Sequence, residues 1–273
     1  MDLHHLTLAT DGRRTLFPDE TARRTALRAL GGALAGRALL FCVVDDHVHV
    51  VLEGERAAVG RVAQAIAHRL GKLASAPLDP SRIRPVEDRA HLQSLVRYLL
   101  LQPTHHRLAG HPALWTGSCL PDLVGARAVQ GLSLRLGAHL PRFHARDACA
   151  LLGLPDLDPL PGPAVRALGP VRVLAAASAV LAVGPVLAGR DAAVVAARRL
   201  GAAAATGAGI PAGEIAWAAF VTRRSAYRHA ASPADPALAR AVALRLTLEE
   251  TARNAALPPL AAEGDGLPPD LVD

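Results

Sequence analysis

The chain has 273 residues, 51% of them hydrophobic but only 3% aromatic, with a formal net charge of +6 and a pI near 10.2. That length allows one large or two ordinary domains, and alanine and leucine, which carry the apolar load, favour helices. The basic balance suggests an anionic partner, most often nucleic acid, while three widely separated cysteines (Cys42, Cys119, Cys149) exclude a Cys-x-x-Cys zinc pattern and a disulfide framework.

Leu3 to Thr10 reads as a first strand closed by Asp11-Gly12, and a helix follows from Asp19 or Pro18 to about Leu34, with Ala22, Ala26, Leu27, Leu30 and Leu34 on its apolar face. Leu39 to Leu52 reads as one buried strand, rich in β-branched residues. Within it His47 and His49 are two apart, so they project to the same side while Val48 and Val50 point into a core. Two imidazoles on one rigid face form half of a divalent-metal site; taken alone, a His-x-His pair is more often a pair of half-exposed surface side chains. A second helix spans about 57–74 with Val59, Val62, Ile66 and Leu70 inward. Pro77 to Pro85 reads as a loop, and a third helix, capped at Glu87-Asp88-Arg89, runs over about 88–101 and ends at Pro103. On that helix Tyr98 and Gln102 are one turn apart and share a face. Read alone, such a pair marks the edge of a core.

The segment from about 103 to 128 looks irregular, and the Pro- and Gly-rich stretch from about 141 to 165 makes 129–165 a linker region. Beyond it, helices are expected at about 166–183, 190–206, 212–219, 222–231 and 236–252, with a mobile tail over 253–273. The apolar run near 173–188 is broken by Gly184-Pro185 and reads as a buried helix. Ile215 and Ala216 face inward, a turn falls near Phe220-Val221, and Thr222 is the N-cap of a helix offering Arg223, Arg224, Ser225, Tyr227, Arg228 and His229. That is the pattern of a helix-turn-helix. The same residues also fit an ordinary solvated basic helix.

Four stretches, in order, carry a resemblance. They are His5-Leu6-Thr7-Leu8-Ala9-Thr10-Asp11-Gly12-Arg13-Arg14-Thr15-Leu16-Phe17, Val43-Val44-Asp45-Asp46-His47-Val48-His49, Val86-Glu87-Asp88-Arg89-Ala90-His91-Leu92, and Leu95-Val96-Arg97-Tyr98-Leu99-Leu100-Leu101-Gln102-Pro103. Trp115-Thr116-Gly117-Ser118 echoes a later corner. Over about residues 3–128 the chain resembles the single-tyrosine HUH endonucleases, closest to the REP-associated tyrosine transposases of the IS200-like group. The resemblance implies an α+β fold: a ferredoxin-like HUH domain with a small antiparallel sheet over 1–128, followed by an all-α domain.

It further implies that His47, His49 and Gln102 hold Mg²⁺ or Mn²⁺, that Tyr98 is the nucleophile, and that Arg13 and Arg14 lie on the DNA path. The activity implied is cleavage and rejoining of single-stranded, hairpin-bearing DNA through a 5′-phosphotyrosine, with His91 a candidate base. The chain departs from the family pattern in lacking a Trp-Gln-x-Arg-Phe segment between Lys72 and Arg84, where only Arg82 and Arg84 remain, and in carrying Asp45-Asp46 where Pro-Asn is usual.

Residues 166–252 resemble the C-terminal DNA-binding domain of the replication initiator DnaA. The carrying segments are Arg190 to Leu200, Ile210 to Ala216 and Val221 to Ala230. This implies duplex binding through Arg223, Arg224, Ser225, Arg228 and His229. The expected setting is cytoplasmic and nucleoid-associated, without a membrane, as monomer or homodimer. The alternatives are a domesticated DNA-binding protein of the same fold that no longer cleaves, and a replication-initiator-like nickase.

Overall fold

Strand β1 (Leu3–Ala9) opens a four-stranded antiparallel sheet, and helix α1 (Glu20–Leu34) follows it, started by the Asp19 carboxylate accepting from the Ala22 amide. The computed structural model describes residues 2–108, 110–233 and 235–258. β2 (Ala38–Val43) and β3 (His47–Glu53) then form a hairpin, followed by α2 (Arg56–Gly71), β4 (Arg82–Pro85) and α3 (Arg89–His105). The strand order is β2-β3-β1-β4.

Two expectations are corrected here. The stretch 39–52 is not one strand: Val44-Asp45-Asp46 turns the chain, the Val44 amide donates to the His47 carbonyl, and the halves pair with Cys42 opposite His49. Two adjacent carboxylates cannot continue a buried strand, whereas a turn leaves them partly in water. Pro77–Pro85 is not wholly loop, because Arg82–Pro85 pairs with β1 as the edge strand. A proline is tolerated there at a strand end on an edge.

Pro103 does not stop α3 either. The helix keeps going to His105, and the His106 amide still reaches the Gln102 carbonyl. The proline removes only its own bond to the turn before.

One face of the sheet carries Leu6, Leu8, Val48, Val50 and Phe41, all fully buried in a core shared with the inward faces of α1 and α2. The other carries His5 and Thr7 of β1, His47 and His49 of β3 and Cys42 of β2, since directly paired residues share a face. α3 packs on the β2 side of this face with Leu92, Leu95, Val96, Leu99 and Leu100 buried. Trp115 seals the end of β2 by donating its indole N–H to the Val43 carbonyl at 2.6 Å, and Gly117 beside it has no room for a Cβ against that same carbonyl.

The stretch expected to be a linker is largely built into this core. It forms α5 (Leu136–His139) and α6 (Ala145–Leu151), after the single turn of α4 (Leu120–Leu123), and it buries Leu132, Leu136, Leu140, Cys149, Leu152 and Leu154. Its prolines and glycines punctuate short turns. They do not mark a solvated tether.

The remaining helices follow the sequence reading: α7 (Gly162–Val180), α8 (Ala192–Gly207), α9 (Ala212–Ala218), α10 (Arg223–Ala230) and α11 (Pro236–Asn254). The expected tail lies mostly outside the described residues. α7 is broken at Gly169 (φ 77), just before Pro170. By length and composition α7 could cross a membrane, but Val173, Leu174 and the stretch Ala176 to Val180 are buried and the helix packs on α8 and α11, as a core helix does.

The two parts are joined through Arg24 of α1. Its guanidinium donates to Ser178 Oγ at 2.8 Å and to the Val183 carbonyl at 2.6 Å, and pairs with Glu20 at 2.5 Å. Leu244, Leu248 and Ala252 of α11 also enter the first core.

Candidate active site

His47 and His49 are only 3% and 4% exposed, which removes the half-exposed reading of the pair. Their rings meet edge-on with centroids 4.4 Å apart, and the two Nε2 atoms converge to 2.7 Å. Each Nδ1 is engaged elsewhere. That of His47 meets Asp46 Oδ1 at 2.5 Å, and that of His49 meets His5 Nε2 at 3.1 Å and Thr7 Oγ1 at 3.3 Å. This is the arrangement that fixes the ring orientation of a metal-ligating histidine: one nitrogen held by a supporting partner, the other presented.

α3 brings Tyr98, and its C-cap His106, against this pair, with Gln102 and His105 one and two turns beyond Tyr98. The Tyr98 ring stands 5.5 Å from that of His49, and His106 stands 4.8 Å from His47. Gln102 is 1% exposed and hydrogen-bonds the Tyr98 hydroxyl. Its Oε1 is buried without a partner, so the amide N–H is the group that donates to Tyr98. A buried amide oxygen without a partner, on the helix that carries Tyr98, is an acceptor that a ligand could satisfy. Asp46, His47 and His106 additionally offer ligand atoms lying within 4.8 Å of one another, a possible metal-binding triad that shares His47 with the first set.

The electrostatics favour a neutral imidazole at His49, the form that ligates. Burial pushes His49 well below the usual histidine value, with His47 and His5 adding to the effect. Burial, then the charges of His91, Arg84 and His47, bring His5 down to about 4. Burial alone would raise Asp46, but the hydrogen bond and charge of His47, with His106 and Arg13, hold its carboxyl below the ordinary value. Burial raises the Tyr98 phenol above its ordinary value, and the Gln102 hydrogen bond opposes this.

Of the residues expected on a DNA path, Arg13 pairs with Asp46 at 3.4 Å and lines a cleft of about 410 Å³ with Thr7, Asp79 and Arg82. Arg14 is exposed and turned to Asp11. Arg82 and Arg84 lie opposite Thr7 and His5, so the short remnant between Lys72 and Arg84 still supplies the sheet edge on the histidine face. A second cleft of about 510 Å³ is lined by Tyr98, Arg97 and His105 of α3 and by Phe143 of the segment expected to be a linker.

In the helical part Thr222 Oγ1 accepts from the Ser225 amide, as expected of the cap, and Ile215, Ala216 and Ala226 are buried. Arg223, Arg224 and Arg228 are exposed, with Ser225 and His229 partly so. Arg198, by contrast, turns inward and donates to the carbonyls of Leu187 and Gly189, which makes it a packing residue.

The sequence left open whether Asp45-Asp46 adjusts the metal site and which of His4, His5, His91, His105 and His106 approach it, and it gave no sign of Thr7. The signal at His106 is its place four residues beyond Gln102, at the cap of the same helix. No family model, no curated protein and no solved structure matches this chain.

Proposed function

We propose that the chain is a metal-dependent endonuclease and strand transferase that cuts single-stranded DNA, hairpin-bearing in its natural form, through a covalent tyrosine intermediate. The observation that carries this reading is the placement of a half-buried phenol beside two converging imidazole Nε2 atoms and an unpartnered amide oxygen. The βαββαβ succession with sheet order β2-β3-β1-β4 supports it further, being the ferredoxin-like arrangement that the resemblance to HUH endonucleases implies.

His47, His49 and Gln102 would hold Mg²⁺ or Mn²⁺, which when bound supplies polarisation of the scissile phosphate and neutralises its charge. Tyr98 Oη forms a bond to phosphorus as the bond from phosphorus to O3′ breaks. The phenol gives up its proton, the departing O3′ takes one up, and a 5′-phosphotyrosine and a free 3′-hydroxyl result. The ester energy is retained, so the reverse attack by another 3′-hydroxyl rejoins strands without a nucleotide cofactor. Gln102 holds the phenol in place from the same helix, one turn away. Asp46, His5 and Thr7 keep the histidine rings turned. His105 stands on the same helix with its ring 6.2 Å from that of Tyr98. Arg13 and Arg82 line the cleft where a phosphate backbone would lie across the sheet.

The test is incubation with Mn²⁺ and end-labelled single-stranded DNA, followed by a denaturing gel. A slow covalent band is expected, absent with chelator and absent in Tyr98→Phe. Cleavage that persists in Tyr98→Phe would remove the assigned nucleophile. Binding without any adduct would select the non-cleaving DNA-binding alternative.

A further inference from the structure

The chain has two Trp, two Tyr and four Phe, and they divide by place. Phe17 and Phe41 are fully buried, and Tyr98, Trp115 and Phe143 pack against the first core. The remaining three, Trp217, Phe220 and Tyr227, are 76%, 68% and 56% exposed, and all lie on α9, the turn and α10. In so aromatic-poor a chain, these rings are spent on one water-facing stretch.

Phe220 is held at φ 55, the left-handed region where a bulky side chain is disfavoured and glycine is not. An exposed ring gains little from burial, and this one also carries a backbone cost. Folding therefore gives no reason for a phenylalanine here, and binding does. The surrounding charge is positive. Arg223, Arg224 and Arg228 are exposed and form no ion pair among the described residues, and Arg223 lies 5.9 Å over the Tyr227 ring. Glu214 is the lone carboxylate between residues 192 and 234.

Arginines alone would suit the backbone of any duplex. Exposed indole and phenyl rings would find no free base face in a regular one, because its bases are stacked and show only edges in the grooves. An unpaired base offers its whole face, and stacking on an aromatic ring beside a basic groove is how single strands are held without sequence readout. We infer that the α9–turn–α10 face binds unpaired bases of single-stranded DNA, such as a hairpin loop, with Trp217 and Phe220 stacking on bases and the arginines on phosphates. This differs from duplex readout by the same helix, and it needs none of the chemistry assigned to Tyr98.

The test uses the full chain in chelator, reading affinity in every variant by the anisotropy of an end-labelled oligonucleotide or duplex, and Trp217 emission in the wild type. Trp115, the other tryptophan, is bonded to the Val43 carbonyl and is a constant background. The probes are a thymidine oligonucleotide, a blunt duplex of unrelated sequence and anionic phosphatidylglycerol vesicles. The oligonucleotide should quench Trp217, and Trp217→Ala should lower its affinity about tenfold while changing duplex affinity less than twofold. Phe220→Gly should lower oligonucleotide affinity similarly while leaving the melting temperature unchanged or raised, since glycine relieves the left-handed backbone. Arg223→Ala should weaken both nucleic acids and reduce the salt slope by about one.

Wild-type oligonucleotide affinity in both aromatic variants would overturn the inference, as would an equal loss on duplex. A spectral response to vesicles and not to the oligonucleotide would overturn it in favour of a membrane surface. Because no cleavage is read, a protein that fails to form the covalent adduct still gives a decisive answer here.

Discussion

Asp46 sits where its carboxylate must choose between supporting His47 and ligating a cation itself. The 2.5 Å contact with His47 Nδ1 assigns it the supporting role. Asp46→Asn should then lower Mn²⁺ affinity about 10- to 100-fold, measured by calorimetry, and leave the fold intact. If His106→Gln costs as much as Gln102→Leu, the ion is held by Asp46, His47 and His106 instead. The histidines also predict an acid response. His5 titrates near 4 in the folded chain against about 6.5 when unfolded, so the unfolded state binds the proton first. The stability contributed by its neutral form is complete above 6.5 and is lost as pH falls toward 4, by up to roughly 3 kcal/mol, and His49 adds in the same direction. Melting of the metal-free protein should be flat above 6.5 and decline below, and His5→Gln should flatten that decline. An unchanged slope in the variant would show that His5 is not the responsible group. The shared face of His47 and His49, and that of Tyr98 and Gln102, were legible because each pair lies two or four residues apart, whereas the expectation that the two pairs meet came from the resemblance and not from local geometry. His5 and Thr7 were not legible, because they reach His49 through the β1–β3 register, which no local pattern encodes.

At the scale of elements, α3 carries Tyr98, the proposed nucleophile, and its neighbours, and its start is set by the Asp88 side chain accepting from the His91 amide. Asp88→Ala should cost about 1 kcal/mol in denaturant unfolding, with loss of adduct formation if the first turn frays far enough to loosen Tyr98. Helix positions were read well because caps and apolar spacing are local signals, as at Asp19, Asp88 and Thr222. The misreadings share a cause. Apolar residues flank Asp45-Asp46 on both sides, so composition hides a hairpin. Between residues 132 and 154 the buried leucines are separated by turn residues, so composition hides a packed segment. In both cases tertiary burial decided, and turn chemistry was too weak a signal against it.

For the whole molecule, the junction at Arg24 matters more than its few atoms suggest. A buried guanidinium bridges α1 to the Ser178 hydroxyl and the Val183 carbonyl, and its removal takes a donor from both, leaving Ser178 only its bond to the Ala175 carbonyl. Arg24→Ala should lower unfolding stability by about 3 kcal/mol. A single cooperative transition in the wild type should divide into two as the sheet and the helices unfold apart. One transition in both proteins would mean that the contacts of α11 suffice alone.

That junction also turns the chain into a gauge. If the histidine–tyrosine centre and the aromatic face of α9 and α10 are both occupied by one folded DNA strand, a stiff connection between them sets the stem length that spans the gap. Lengthening the stem by about five base pairs rotates its loop by half a helical turn and points it away from the protein. Cleavage should therefore survive over a narrow range of stem lengths in the wild type and over a broad one in Arg24→Ala. Substrate choice would then come from the distance between two contacts as much as from either contact itself.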